Sequence, residues 1–133
     1  MNKICIVVSS YNSEITDGIC DSAKNELKNL NIEKFDIIKI PGAFEIPVTI
    51  SRLSNKYDGF IAIGCIIKGE TLNFDLISKS ITNGIMFLST NQKKPIGNAI
   101  LTCFNKKQAL SRLEKGKEAA NAVISVLKNV PNK

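Results

Sequence analysis

The stretch Gly64-Cys65-Ile66-Ile67-Lys68-Gly69-Glu70-Thr71-Leu72-Asn73-Phe74-Asp75 decides the fold. An apolar segment, Phe60 to Ile63, runs into it, and Phe74, Ile77, Ile81 and Leu88 follow at helical spacing. The stretch reads as a strand end, a tight turn and a helix start. In an open α/β sheet ligands bind at such a place, because a helix N-terminus offers free backbone N–H groups and positive dipole. Lys68, Gly69 and Thr71 are residue types that an anion site uses there. They predict a phosphate-handling active site, with Asn73 as the cap of the helix that follows.

The same alternation extends on both sides. Lys3 to Ser9 is a short β-branched apolar run, as in a strand buried on both faces. Ser10 to Ser13 is a turn. Ile15, Ile19, Ala23, Leu27 and Leu30 then mark an amphipathic helix from Glu14 to about Asn29, with acidic residues early and Lys24 and Lys28 late. Phe35 to Ile40 is a second strand, broken by Pro41-Gly42. Ala43 to Pro47 leads into a helix to about Ser54, where Pro47 is tolerable only in the first turn. Phe60 to Ile67 is the third strand, and a helix covers about Asn73 to Thr90. Asn98 to Cys103 is the fourth strand. Asn105 is placed to cap one last helix carrying Leu110, Leu113, Ala120, Val123, Leu127 and Val130, with Gly116 interrupting or bending it. The order βαβαβαβα predicts an α/β fold, a four-stranded parallel sheet with helices on both faces joined by right-handed crossovers. The 133 residues predict a single domain over 1–133. Two exposed sheet edges predict an oligomer.

Composition narrows the chemistry. A 44% hydrophobic fraction beside 23% charged residues fits a globular chain rather than a disordered one. No apolar run reaches the length of a membrane span, and the first residues enter a strand rather than a signal-peptide pattern, so a cytoplasmic location without membrane contact is expected. The four cysteines form no C-x-x-C pair and read as buried free thiols. There is no histidine, so no Ser-His or Cys-His pair and no histidine base exists in this chain, and a zinc site is not expected. The net charge of +6 is uneven: Asn91 to Lys133 holds nine Lys/Arg and two Asp/Glu. With one aromatic, Phe104, among them, these scattered lysines read first as a solvated helix face, then as a small-phosphate site, and only then as a nucleic-acid surface.

The motifs gain meaning together. Pro41-Gly42-Ala43-Phe44-Glu45-Ile46-Pro47, Tyr57-Asp58, and Gly64 to Thr71 with Phe74-Asp75 resemble the 6,7-dimethyl-8-ribityllumazine synthases. Leu101-Thr102 and Gln108 to Arg112 extend the resemblance over almost the whole chain. It implies a flavodoxin-like three-layer αβα fold, and pentamers or sixty-subunit shells with active sites between subunits. It also implies condensation of 5-amino-6-(D-ribitylamino)uracil with 3,4-dihydroxy-2-butanone 4-phosphate, without metal or cofactor. On that resemblance Tyr11 stacks on the pyrimidine, where most members have Phe or Trp, and Asn12 follows it. Ala43, Phe44 and Glu45 match the segment holding the ribityl chain. Cys65 and Ile66 lie beside the pyrimidine, with Asn98 where many members have Phe. Gly69, Glu70 and Thr71 match the phosphate turn, Arg112 matches an arginine reaching the phosphate from the adjacent subunit, and Lys115 a lysine near the pyrimidine.

The chain also departs from the pattern. The family's proton-transfer histidine falls on Asn73, and Lys68 stands where Arg is usual. Asn73 hydrogen-bonds but carries no proton at neutral pH. The loop between Arg112 and Lys115 is shorter than the family's, and the chain opens on its first core strand where members carry an extension that pairs with a neighbour. A pentamer rather than a shell is the expectation that follows. The alternative reading is a catalytically weak relative that binds flavin or lumazine.

Overall fold

The computed structural model describes residues 2–70 and 73–129. Four parallel strands, β1 (Ile4–Ser9), β2 (Phe35–Ile40), β3 (Gly59–Ile67) and β4 (Ile96–Cys103), pair in the order β2-β1-β3-β4. The helices are α1 (Ser13–Asn29), α2 (Ile46–Leu53), α3 (Phe74–Gln92), α4 (Lys106–Leu110) and α5 (Lys115–Lys128), with a 3₁₀ turn at Ala43–Glu45. The architecture is the expected three-layer α/β fold with flavodoxin-like strand order.

Alternation along the strands builds both halves of the core. Ile4, Ile6 and Val8 of β1, Ile61, Ile63 and Cys65 of β3, and Ala99 and Leu101 of β4 pack on α1 and α5. Cys5, Val7, Phe60, Ala62 and Ile66 face the other way, onto Ile46, Ile50, Ile81 and Ile85 of α2 and α3. The central strands β1 and β3 are therefore buried along their full lengths, which is why they read as unbroken apolar runs. The chain leaves β1 toward β2 on one side and returns to β3 on the other. Between the C-terminal ends of β1 and β3 lies the crevice that such a reversal of strand order creates.

One expectation fails. The chain after Asn105 is not one helix but two, α4 and α5. Asn105 caps only the short α4, accepting from the Gln108 N–H at 2.8 Å, and Leu110 is exposed rather than on an apolar face. The break lies at Ser111–Glu114, before Gly116, which sits inside the first turn of α5. A Cβ on Gly116 would stand 2.1 Å from the Ile19 carbonyl oxygen. The glycine serves a backbone-to-backbone contact of α5 with α1, and the chain has to turn beforehand to make it. Val130 of the expected helix lies outside the described residues.

Candidate active site

Parallel strands bring four loops to one end of the sheet. The loop after β1 is tied to the end of β2: the Ser10 and Tyr11 N–H groups donate to the Ile40 and Pro41 carbonyls at 2.8 and 3.1 Å. Asn12, at the N-cap position of α1, takes a left-handed conformation, φ 61°. Asparagine tolerates that region better than most residues. Its side chain does not cap α1. Nδ2 donates instead to the Cys65 carbonyl at 3.3 Å, bridging from β1 to β3.

That bridge is possible because β3 outruns its neighbour. Pairing with β1 ends at Val8↔Ile63, whereas β4 accompanies β3 as far as Ile67↔Cys103. Gly64 to Ile67 thus present backbone on the β1 side beyond the ladder, beside the crevice. Cys65 and Ile66 themselves are buried. Burial, with the nearby Cys103 and Glu70, pushes the Cys65 thiol up to about 12, so it is neutral and no nucleophile at physiological pH.

The loop after β2 closes the next side. Pro47 occupies the first turn of α2, as expected. Glu45 accepts from the Gly42 N–H at 3.0 Å, so one carboxylate oxygen shapes its own turn. Ala43 packs close on Gly64: a Cβ added to Gly64 would stand 3.1 Å from the Ala43 Cβ. Phe44 projects into solvent, 64% exposed.

After β3, Lys68 continues the ladder by donating its N–H to the Cys103 carbonyl at 2.8 Å. The Glu70 N–H then turns back to the Ile67 carbonyl at 3.2 Å. Gly69 between them has φ 95°, a conformation costly for any residue with a Cβ. Thr71 lies outside the described residues. Asn73 is exposed at the N-cap position of α3, where its carbonyl accepts from the Ile77 N–H at 2.9 Å. The Lys68 ammonium stands 5.5 Å from the centroid of the Phe104 ring, a cation–π distance across to the loop after β4.

The remaining candidates gather elsewhere. Arg112 and Lys115 line a cleft of about 470 Å³ with Ile100, Leu101 and Thr102 at the β4 edge. Burial raises the Cys103 thiol, the Arg112 charge opposes that rise, and Lys115 approaches Glu118 at 3.8 Å. Asn98 is exposed on the same strand, its Oδ1 accepting from the Ile100 N–H at 3.0 Å. The structure thus unites Tyr11, Asn12, Ala43, Glu45, Cys65, Gly69 and Glu70 around one crevice. Asn98, Arg112 and Lys115 belong to the sheet's outer edge.

The family model for 6,7-dimethyl-8-ribityllumazine synthase matches residues 1–130. The chain belongs to that family. It is 38% identical over 129 residues to the 6,7-dimethyl-8-ribityllumazine synthase of Polaromonas sp., covering 93% of this chain and 84% of that protein. The synthase of Burkholderia ambifaria is 37% identical over 93% of this chain and 75% of its own length. That of Arthrobacter sp. is 33% identical over 92% and 81%. This member of the lumazine synthase family is accordingly an enzyme of the transferase class, acting in riboflavin biosynthesis on small molecules.

Several residues at this end of the sheet are not singled out by the sequence. The Ser9 hydroxyl, at the buried end of β1, has no hydrogen-bond partner among the described residues and stands 3.4 Å from a Cβ built on Gly64. Its only signal was a hydroxyl ending an apolar strand at the chain reversal. Glu14 and Lys106, which form an ion pair at 2.9 Å, were legible only as helix-end charges. Their meeting depends on the starts of α1 and α4, which lie far apart in sequence.

Proposed function

We propose that the chain condenses 5-amino-6-(D-ribitylamino)uracil with 3,4-dihydroxy-2-butanone 4-phosphate to 6,7-dimethyl-8-ribityllumazine, phosphate and water. The observation that carries this reading is the convergence, on the β1/β3 crevice, of the groups such a pair of substrates needs. Tyr11 offers a π-face for the pyrimidine. Backbone of the β3 overhang at Cys65 and Ile66 lies beside it. Glu45 has a second carboxylate oxygen for ribityl hydroxyls, and Ala43 and Phe44 flank it. The turn at Gly69 and Glu70 precedes α3 and suits a phosphate, with Thr71, outside the described residues, as its expected hydroxyl.

Arg112, Lys115 and Asn98 stand on the other rim of the chain. In this reading they complete the site of a neighbouring subunit, with the Arg112 fork on the phosphate. Exposed apolar residues support an assembly, for which the proposal is a pentamer. Leu76, Met86 and Phe87 on α3 and Val48 on α2 are all more than half exposed. The proposed place of the reaction is the cytoplasm. No helix among the described residues is long and apolar enough to cross a membrane.

The chemistry runs without histidine. An aryl amine condenses with a ketone and loses water, phosphate leaves, and ring closure expels a second water. Alignment of two substrates supplies roughly 7–11 kcal/mol of entropic advantage, whereas one acid–base group typically adds about 10²–10⁴ in rate. Orientation and phosphate binding therefore dominate here. Asn73 orients substrate, while water or the substrate phosphate moves protons. The test uses both substrates with the purified chain, following lumazine absorbance. Product formation is expected, and its absence sinks the reading.

A further inference from the structure

The Tyr11 hydroxyl donates to Glu70 Oε2 at 3.2 Å. A phenylalanine or tryptophan at position 11 would supply the ring without this bond. It joins the loop after β1 to the loop after β3, directly across the crevice. Lys106, the first residue of α4, stands at the same end of the sheet. Its ammonium pairs with Glu14 at 2.9 Å, and its affinity for a proton is raised first by Glu14 and further by Glu70 and Tyr11. The Tyr11–Glu70 bond thus straps the loop after β1 to the loop after β3.

The strap has two ends with different ligands. Tyr11 carries the aromatic face, and Glu70 sits in the turn at Gly69. We propose, on the condensation reading above, that the Tyr11–Glu70 bond is a positioning device coupling the pyrimidine subsite to the phosphate turn. Phosphate at the turn orders Glu70, Glu70 holds the Tyr11 ring in place, and the pyrimidine then meets a platform already set. Ordering completed by one ligand is not repeated for the second, which is positive coupling without any large movement. One exposed hydrogen bond limits the effect to about three- to tenfold in affinity.

The experiment is calorimetric titration of the full chain with 5-amino-6-(D-ribitylamino)uracil, with and without inorganic phosphate at constant ionic strength. In the wild type, phosphate lowers the Kd for the uracil about three- to tenfold. Tyr11→Phe keeps a ring but no hydroxyl, and its Kd ratio falls to about one. Glu70→Gln retains an acceptor and keeps most of the ratio, whereas Glu70→Ala loses it. A merely structural role for the pair would not move this ratio. An undiminished ratio in Tyr11→Phe, or no phosphate effect in the wild type, overturns the coupling and leaves the condensation standing. No uracil binding by the wild type under either condition overturns the condensation reading itself.

Discussion

On the proposed reading, Asn73 falls where a proton-transfer histidine is expected. An asparagine there can orient a carbonyl or amine, but it cannot shuttle a proton. Asn73→His is therefore expected to raise turnover toward the about 10²–10⁴-fold that a positioned acid–base group supplies. Asn73→Ala is expected to lower it about tenfold, the size of one lost orienting hydrogen bond of about 1.5 kcal/mol. Steady-state rates for the three proteins decide both, and unchanged turnover in Asn73→Ala removes the orienting role. Thr71, the other half of the phosphate turn's expected chemistry, adjoins the same loop and lies outside the described residues.

At the scale of elements, the strands were the most legible part of the chain. β2 runs over the very residues that its apolar run marked, and β1 and β3 differ from their expected spans by a residue at the start. Buried parallel strands announce themselves because both faces must be apolar. The end of the chain was less legible, since helical periodicity continues through Ser111–Glu114 and hides the turn. What breaks the helix is the contact of α5 with α1, a tertiary fact. Gly116→Ala forces a Cβ to within 2.1 Å of the Ile19 carbonyl oxygen, so helix α5 must lift off α1. A loss of about 1–3 kcal/mol or more is expected in urea unfolding. An unchanged midpoint would mean that the two helices separate at no cost. The site followed the same rule. Residues at strand ends were readable from order alone, whereas the Asn12 bridge to Cys65 and the Tyr11–Glu70 bond required segments distant in sequence to meet.

For the whole molecule, the buried thiols set a pH limit. Burial is the main cause that pushes Cys5 and Cys65 up to about 12 from 9.0. Hydrogen bonding to Asp36, its first cause, holds Tyr57 at about 12 rather than 10.0. The unfolded chain ionises these groups near 9 and 10, while the fold keeps their protons. Stability is therefore at its full value below pH 9 and falls as pH rises from about 9 toward 12. Urea midpoints across that range are expected to decline, and a flat profile would contradict the burial of these thiols. The two rims of the chain make an assembly-level prediction. On the proposed reading, Arg112→Ala removes a charge-assisted phosphate contact of about 1.5–3 kcal/mol, or roughly 10- to 100-fold in the KM for the phosphate substrate. Mixed subunits of Glu45→Ala and Arg112→Ala, inactive or weak apart, are expected to regain activity together, because some interfaces then pair two intact rims. Failure of the mixture to recover would assign both residues to one chain's own site.

The central claim is that a histidine-free chain still makes lumazine. Purified protein is incubated with 5-amino-6-(D-ribitylamino)uracil and 3,4-dihydroxy-2-butanone 4-phosphate, and the 6,7-dimethyl-8-ribityllumazine absorbance is followed beside an enzyme-free control. The account predicts product above the control, with stoichiometric release of phosphate. Product no faster than the control, from a folded and assembled protein, would contradict it.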